Sequence, residues 1–234
     1  MKMFRRGAHR SRRPADTLAR IMPVARALGV TRLADVTGLD RIGIPVFQAV
    51  RPLSLSLSVS QGKGATPDAA RVSALMEAIE LHHAETCPAS SHSCADAGEA
   101  RLWSQMARAD KQDASFDPAR PRGWVEAIDM LSGRPMRIPH GLVTMDFTVP
   151  AEPDLWPNSN GLASGNTPAE ARCSALCELI EREDHARWLE QGLRARRASA
   201  IDLDSVTDRL GRSLIARVRR AGLSLSLWDM TGSI

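Results

Sequence analysis

The feature that most constrains the fold of this chain is an internal duplication of one loop and one helix. Residues 64–80 (GATPDAARVSALMEAIE) and residues 165–181 (GNTPAEARCSALCELIE) align at an offset of 101 positions and are identical at 11 of 17 of them. Threonine is a good helix N-cap and proline suits the first helical position, so each copy predicts a helix that begins at its proline. We therefore predict two equivalent loop-helix units, with their helices paired about a pseudo-twofold axis.

Both predicted helices carry a stripe of acidic side chains. At helical spacing the shared face consists of Ser73, Glu77 and Glu80 in the first copy and of Glu170, Ser174, Glu178, Glu181 and His185 in the second. Carboxylates that converge raise each other's pKa values unless a cation compensates them, and carboxylate oxygens favour a hard cation such as Mg²⁺. The alternative is that both stripes are solvated faces, with Glu170 serving only as the N3 residue of a capping box.

The loops before the two helices have the composition of anion-binding turns. Residues 60–64 (SQGKG) and 159–166 (SNGLASGN) bring backbone N–H groups close to a helix N-terminus, where phosphate oxygens bind. Lys63 adds positive charge, and Arg182 either neutralises a phosphate or pairs with a neighbouring acid. The first loop is not a Walker A motif, because Leu57 stands at the position of its first glycine and Gly64 follows the lysine.

Two other metal sites were considered and are disfavoured by spacing. Residues 82–94 (HHAETCPASSHSC) are rich in histidine and cysteine, but they match no standard zinc pattern. Glu80 and His83 form the Glu-x-x-His of di-iron bundles, yet Asp184 stands at the matching position of the second copy and no four-helix pattern surrounds them. We predict Cys173 and Cys177, one helical turn apart, to be buried free thiols.

The charge of the chain is concentrated at its start. Residues 1–13 hold six Lys/Arg and no acid, so the rest carries 25 basic and 27 acidic residues. This balance excludes a large nucleic-acid-binding surface. We interpret residues 1–15 as a disordered basic arm and residues 16–234 as one domain; a transit peptide or a patch for an acidic partner is an alternative for the arm. Without a secretory h-region or a run of 18 apolar residues, we predict a cytoplasmic protein that does not enter a membrane.

Periodicity predicts an α+β fold with helices packed on a mostly antiparallel sheet. The predicted helices are 16–28, 67–85, 96–110, 168–191 and 206–221. The predicted strands are 45–50, 53–60, a hairpin over 124–138, a further strand at 142–147 and a last one at 223–231. The alternating LSLSLSVS and LSLSLWDMT segments are the clearest strand signals.

These segments resemble the YcaO family. SVSQGKGATPDAARVSALMEAIE is similar to its first ATP-site segment, and SNGLASGNTPAEARCSALCELIERED to its most diagnostic one. GWVEAIDMLSGRPMRIP and TGLDRIGIPVFQAV also resemble family segments, particularly those of members partnered with TfuA-type proteins. The resemblance extends from about Thr31 to the last residue.

The resemblance implies an ATP- and Mg²⁺-dependent enzyme that activates peptide amides and forms azolines or thioamides. It implies Mg²⁺ ligands at Glu77, Glu80, Glu178 and Glu181. It implies nucleotide contacts at Asn166, Glu170 and Arg182, and less directly at Ser60, Lys63 and Arg71. It designates no catalytic residue among those present here. Family members continue past the final strand, so a C-terminal part is expected to be missing.

The implied partners are a peptide or protein substrate and a TfuA-like or other partner protein, with a homodimer as a further arrangement. Two alternatives to the enzyme remain open. One is a shortened, non-catalytic scaffold that binds a precursor peptide, and the other is an accessory factor for methylthiolation of a ribosomal protein.

Overall fold

A computed structural model describes residues 9–109, 116–155 and 157–232 of the chain. In chain order the elements are α1 (Pro14–Ala27), β1 (Arg32–Asp35), β2 (Val46–Val50), β3 (Val59–Lys63), α2 (Pro67–Glu85), β4 (Ser91–Ser93), α3 (Ala97–Ala109), β5 (Arg122–Ile128), β6 (Pro135–Pro139), α4 (His140–Val143), α5 (Pro168–Glu190), α6 (Leu193–Ala198), β7 (Ala200–Ile201), α7 (Arg209–Arg220) and β8 (Leu227–Trp228). Short 3₁₀ turns occupy Thr37–Leu39 and Leu203–Ser205. All strand pairs among the described residues are antiparallel, which confirms the predicted α+β class.

The described residues form two compact units, each of which is considered by itself. The first unit contains residues 9–53, 58–80 and 160–232, and the second contains residues 54–57 and 81–159. The first has a three-stranded sheet of order β1-β2-β3 and a small β7-β8 ribbon. The second has a three-stranded sheet of order β4-β5-β6.

The apolar core of the first unit joins α1 and α2 to the β1-β2-β3 sheet. Its fully or nearly fully buried members are Ala25, Val30, Phe47, Ala49, Ala70, Ala74, Leu75 and Ala78. The α2 side of this core consists mostly of alanines, because the helix backbone lies too close to strand β3 for larger side chains. A Cβ atom added to Gly62 would lie 2.0 Å from the Ala74 nitrogen and 2.2 Å from the Ala70 oxygen. The glycine is therefore required for the close approach of strand and helix.

The core of the second unit combines aromatic side chains with a buried ion cluster. Trp103, Phe116, Trp124 and Leu155 pack together, and Trp124 is fully buried. Arg122 donates to Asp154 at 2.7 Å, lies 3.1 Å from Glu152 and stacks over Phe116. A buried guanidinium needs such carboxylates because an unpaired internal charge is strongly destabilising.

Two predicted strands are wrong. Residues 53–58 form the loop of the β2-β3 hairpin, since the Arg51 N–H donates to the Ser58 carbonyl at 2.8 Å and Leu53 is 91% exposed. Only Val59–Lys63 is a strand in that stretch. Residues 142–147 instead contain the end of α4 and a loop, in which the Phe147 N–H donates to the Leu55 carbonyl at 2.9 Å.

Three further predictions need correction. The predicted strand at 223–231 is reduced to Leu227–Trp228. The predicted helix at 206 begins at Arg209, because the Asp208 side chain accepts from the Gly211 N–H at 2.6 Å and so caps it. Both thiols of the predicted buried pair, Cys173 and Cys177, are exposed.

The start of the chain also departs from the predicted arm. Residues 1–8 lie outside the described residues. Residues 10–15 are structured, because Arg10 and Ser11 hydrogen-bond to Glu170 and α1 begins at Pro14. None of the described helices is long and apolar enough to cross a membrane.

Candidate functional site

The duplication found in the sequence is also a duplication of local geometry. Thr66 accepts from the Ala69 N–H at 3.3 Å, and Thr167 accepts from the Glu170 N–H at 3.2 Å. Gly64 lies against Ala69 and Ala70, and Gly165 lies against Glu170 and Ala171 at the same relative positions. In each case an added Cβ would come within 2.6 Å of a helix backbone nitrogen, so both loops press directly on the first turn of their helix.

Three of the four predicted metal ligands are close enough to influence one another. Burial raises the pKa of Glu80, and the charges of Glu77 and Glu178 raise it further. The Ser164 hydroxyl, from the second loop, donates to Glu80 and partly opposes this rise. The second loop and α5 therefore bring Ser164 and Glu178 to the acidic stripe of α2.

The first loop contributes groups that act on Glu77, as the second loop does on Glu80. Burial raises the pKa of Glu77, while the Gln61 N–H and the charge of Lys63 lower it. Lys63 thus lies within electrostatic range of this carboxylate, as expected for a loop that contributes positive charge beside the acids.

Glu178, Glu181 and Arg182 lie within two turns of α5, where Glu178 is partly buried and the other two are exposed. Arg182 forms an ion pair with Glu178 at 2.8 Å, with the arginine side chain about half exposed. Glu181 is solvent-exposed about one turn beyond Glu178. Of the two uses considered for Arg182, pairing with a neighbouring acid is the one present in this structure.

Glu170 forms a second centre with Asn166 and the start of the chain. Its carboxylate accepts from the Ser11 N–H at 2.9 Å, from the Ser11 hydroxyl at 2.5 Å and from Asn166 Nδ2 at 3.1 Å. Burial by itself would raise the pKa of Glu170, but these hydrogen bonds outweigh it and lower the pKa to about 2. Glu170 is thus far more than the N3 residue of a capping box.

Arg10 connects Glu170 with the loop that contacts Glu80. Its guanidinium contacts the Glu170 carboxylate at 3.4 Å, the Ser174 hydroxyl at 2.9 Å and the Ser164 carbonyl at 3.3 Å. Ser164 in turn holds Glu80. Thr17 of α1 completes the arrangement by donating to Asn166 Oδ1 at 2.9 Å.

Sequence reasoning missed Arg10, Ser11, Thr17 and Ser164. Ser164 stands within the loop that was singled out, so its position before Gly165 was the available signal. The first three lie in or just after a basic stretch, and no local pattern indicates a partner about 150 residues away.

Arg71 and Ser60, two of the predicted nucleotide contacts, have these surroundings in the structure. Arg71 pairs with Asp68 at 3.1 Å and stacks over Phe47 at 4.8 Å. Ser60 is buried in β3 opposite Ala49.

Within the described ranges, no three His, Cys, Asp or Glu side chains are arranged to hold a metal ion as they stand. This holds for the histidine- and cysteine-rich segment 82–94, where the His140 ring instead contacts the Cys87 carbonyl at 2.8 Å. It also holds for the acidic stripe, where Ser164 and Arg182 engage Glu80 and Glu178.

Comparison with known proteins gives relatives across nearly the whole chain. A protein from the tfuA 3′ region of Rhizobium leguminosarum bv. trifolii is 40% identical over 230 residues, covering 94% of this chain and 53% of the relative. A protein of Mycobacterium tuberculosis is 35% identical over 249 residues, covering 96% of this chain and 53% of the relative. The chain therefore spans about half the length of the curated relatives that it matches.

Solved structures also match this chain. The structure of YcaO from Methanopyrus kandleri bound with AMPPCP and Mg²⁺ matches with a TM-score of 0.69 and 26% identity, over 94% of this chain and 54% of that one. A heterocyclase in complex with substrate and cofactor shares the fold, with a TM-score of 0.72 and 21% identity over 100% of this chain and 36% of that one.

The family model for the YcaO cyclodehydratases, described as ATP- and Mg²⁺-binding, matches residues 61–234. This match includes residues 61–64 of the first loop, the whole second loop, both acidic stripes and residues 81–159 of the second unit. The duplicated loop-helix geometry, the fold and the family model lead to one assignment: the chain belongs to the YcaO cyclodehydratase family, a family that binds ATP and Mg²⁺.

Proposed function

We propose that this chain binds ATP and Mg²⁺ and contributes to the activation of backbone amides in a peptide or protein, yielding an azoline or a thioamide. The observation that carries the proposal is the convergence of Glu77, Glu80 and Glu178 beside a lysine-bearing loop at a helix N-terminus. The position of one relative in a tfuA 3′ region supports a TfuA-like partner. The cytoplasm, where ATP is available, is the proposed location.

The residues of the acidic stripe fit a divalent cation. Burial raises the pKa values of Glu77 and Glu80, and the charges of Glu77 and Glu178 raise that of Glu80 further, which means that these acids lack full compensation in the chain itself. Carboxylate oxygens are the ligands that Mg²⁺ prefers, usually one or two of them together with substrate phosphates. We propose Glu77, Glu80, Glu178 and Glu181 as the residues that hold Mg²⁺, after Ser164 and Arg182 release Glu80 and Glu178.

The groups for the nucleotide lie around the same residues. Lys63 and Arg182 carry positive charge suited to phosphate oxygens, and the two loops direct backbone N–H groups from helix N-termini. We propose Asn166 and Glu170 as hydrogen-bonding contacts, held in place by Thr17 and Ser11. Ser60 and Arg71 are proposed to act indirectly, through the packing of β3 and α2.

ATP, when bound, supplies a phosphoryl group that converts an amide oxygen into a leaving group after a nucleophile has added to the carbonyl carbon. The chain's own part is to position charge: carboxylates for the cation, Lys63 and Arg182 for phosphate, and a rigid loop against each helix. We assign no side chain of this chain as the catalytic base.

Isothermal titration calorimetry with ATP, in the presence and absence of Mg²⁺, tests the proposal. We expect Mg²⁺-dependent binding by the wild-type chain and a loss of about tenfold or more in the Glu178→Ala, Glu181→Ala double variant. The matched control is Glu183→Ala, which removes an exposed α5 carboxylate paired with Arg187. If the wild-type chain binds no nucleotide, or if Glu183→Ala weakens binding equally, the proposal is wrong.

A non-catalytic peptide-binding scaffold is the second candidate function. It is favoured by the contacts of Arg182 with Glu178 and of Ser11 with Glu170, because both occupy groups proposed for ligands. A chain that binds a precursor peptide equally with and without ATP and Mg²⁺ would support the scaffold. Binding that strengthens with ATP would support the enzyme.

A further inference from the structure

An open groove lies between helix α3 and the β5-β6 hairpin, entirely within the second unit. Its volume is about 830 Å³, which falls in the range of roughly 300–1,000 Å³ that is usual for ligand sites. The start of α3 forms one wall, and residues 126–128 and 135–137 of the hairpin form the other. None of its lining residues belongs to the two loops or to the acidic stripes, so the groove is a separate feature of the chain.

Apolar side chains that the fold leaves exposed face this groove. Leu102, on α3, is 39% exposed, and Ile128, at the end of β5, is 65% exposed. Met136 pairs with Ala127 in the β5-β6 register, is partly buried and packs against the aromatic core. Exposed apolar side chains that line one concave surface are typical of a binding site.

The charge of the groove is negative. Its lining contains three carboxylates, those of Asp96, Glu99 and Glu126, and one guanidinium, that of Arg137, which gives a net charge of −2. Arg137 is already engaged by Glu99, with Nε 2.6 Å from Oε1 and Nη2 2.7 Å from Oε2. Glu126 stands opposite Arg137 in the β5-β6 register, but within the described ranges it forms no ion pair. Its exposed carboxylate is therefore available to a cationic ligand.

The prolines of β6 determine how a polypeptide can use this surface. Strand β6 lies at the edge of the β4-β5-β6 sheet. The Asp129 N–H donates to the Arg134 carbonyl at 2.9 Å, so the alternation of an antiparallel pair places Pro135 and Pro139 at positions whose backbone nitrogen points away from β5. Proline has no N–H to offer there, which disfavours the addition of another strand. A ligand is therefore recognised by the side chains of the groove and not by the sheet edge.

The shape of the groove favours a linear ligand. A stable interface with a globular protein covers roughly 800 Å² on each partner, whereas a concave site between a helix and a hairpin accepts only a few side chains of an extended segment. Negative charge beside apolar walls selects a segment that is both cationic and apolar.

We propose that this groove binds a linear segment of the peptide substrate in which a lysine or arginine stands beside apolar side chains. The cationic side chain pairs with Glu126, and the apolar ones contact Leu102 and Ile128. The identification of this segment with the substrate rests on the proposed function. The binding itself requires neither ATP nor Mg²⁺.

Fluorescence anisotropy with short labelled model peptides tests the recognition. The first peptide has a Leu-Lys-Arg-Leu core between Gly-Ser flanks, the second has glutamate in place of both cations, and the third has serine in place of both leucines. The 234-residue chain is titrated without ATP or Mg²⁺. We expect the first peptide to bind about tenfold or more tightly than the others. Its affinity should fall about threefold or more between roughly 0.05 M and 0.5 M salt, because exposed charges are screened.

Paired substitutions locate the effect in the groove. Glu126→Lys should weaken binding of the first peptide about fivefold or more, because repulsion replaces attraction, whereas Glu183→Lys makes the same change of net charge on α5 and should have little effect. Ile128→Thr should weaken binding about threefold or more, whereas Leu131→Thr, at a residue that is 99% exposed and outside the groove lining, should not. Circular dichroism establishes that the four variants are folded.

Photo-cross-linking identifies the bound position directly. A benzoylphenylalanine in one flank of the first peptide should attach to residues 96–102 or 126–137, as read by mass spectrometry of the digested complex. Size-exclusion chromatography with light scattering, applied to the chain and to Ile128→Thr, examines whether a second copy occupies the groove instead.

Five results would overturn the proposal: no binding of the first peptide at about 1 mM, equal binding of the acidic peptide, equal weakening by Glu126→Lys and Glu183→Lys, cross-links only outside the groove, or a dimer that Ile128→Thr dissociates. The outcome is separable from that of the calorimetry with ATP. Peptide binding without ATP binding would contradict the enzyme and retain the groove as a peptide site, whereas ATP binding without peptide binding would contradict the groove alone.

Discussion

At the scale of single residues, Glu170 and Glu80 differ in how the fold treats a carboxylate. Glu170 receives hydrogen bonds from Ser11 and Asn166, and its pKa falls to about 2. Glu80 is buried beside two other acids, and its pKa rises despite the Ser164 hydroxyl. The first arrangement stabilises the folded chain at neutral pH, and the second opposes folding there.

The lowered pKa of Glu170 predicts a specific dependence of stability on pH. Its contribution, about 3 kcal/mol for a change from 4.5 to about 2, is present above pH 4.5 and is lost as the pH falls towards 2. Glu170→Gln places an amide opposite the Ser11 N–H and should remove this dependence. Urea unfolding between pH 2.5 and 7 measures it, with Glu183→Gln as the exposed control. Identical pH profiles for wild type and Glu170→Gln would contradict the assignment.

The raised pKa of Glu80 predicts that removing its charge stabilises the free protein and weakens ATP binding. Its stabilising contribution is present below pH 4.5 and is lost as the pH rises through the folded-state value, so the charged side chain destabilises the free protein at pH 7.5. Glu80→Gln should therefore raise the melting temperature without ligand and weaken Mg²⁺-dependent ATP binding by about tenfold or more. A melting temperature that falls, or unchanged ATP binding, would show that Glu80 is structural.

Sequence alone identified the acidic stripe but not all of its neighbours. The spacing of Glu77 and Glu80, repeated at Glu178 and Glu181, is local information that a helix converts into one face. Arg10 and Ser11 could not be found in this way, because the basic stretch around them is typical of a solvated tail. Their partner Glu170 is 159 or more positions away, and nothing in either segment specifies the contact.

At the scale of elements, the turn between β3 and α2 fixes the geometry of the first loop. Gly62 lies opposite Ala70 and Ala74, and Gly64 lies over the first helical turn. Both glycines have a steric rather than a conformational role, because the backbone atoms of the helix occupy the space of a side chain. The composition of the loop was visible in the sequence, whereas this contact was not.

Gly62→Ala should therefore destabilise the chain substantially. The new methyl group would lie 2.0 Å from the Ala74 nitrogen, so strand and helix must separate, at a cost of about 3 kcal/mol. Gly38→Ala is the matched control, because nothing lies within 4 Å of its added Cβ, and it should change stability by about 0.5 kcal/mol or less. Chemical denaturation measures both variants, and equal effects would refute the steric argument.

The strand predicted at 53–60 was wrong because the β2-β3 hairpin has a longer loop than the alternation of residues indicated. LSLSLSVS alternates as a strand does, but the hydrogen bond from Arg51 to Ser58 closes the β2-β3 hairpin and leaves the first six residues of the motif, 53–58, in its loop. Helix starts were predicted more accurately, since Thr66 and Thr167 act as caps within one residue. Capping depends on neighbours in sequence, whereas strand pairing depends on distant partners.

At the scale of the whole molecule, stability is unevenly distributed along the chain. The apolar clusters belong to residues 25–78 and 103–155, and the described range 160–232 adds few buried apolar side chains. A long helix that buries little apolar surface opens locally at a low free-energy cost. The family assignment followed from motifs of both copies, but this imbalance became visible only from burial in the structure.

Hydrogen exchange should reveal this imbalance. We expect amides in the middle of α5 to exchange roughly tenfold or more faster than those in the middle of α2, because Ala74, Leu75 and Ala78 anchor α2 in a core. Peptide-level mass spectrometry under native conditions measures both helices in one sample. Equal protection in the two helices would mean that α5 is as stable as α2 despite its exposed apolar side chains.

The alanine face of α2 has a consequence for engineering. Because Ala70 and Ala74 meet the Gly62 backbone directly, the spacing between helix and strand is set by main-chain atoms, which have no alternative rotamers. Glu77 and Glu80 project from a neighbouring side of that helix and inherit its fixed position. The side chains at these two proposed ligand positions can therefore be exchanged for aspartate or histidine with little displacement of the backbone, which makes this helix suitable for altering the proposed metal preference.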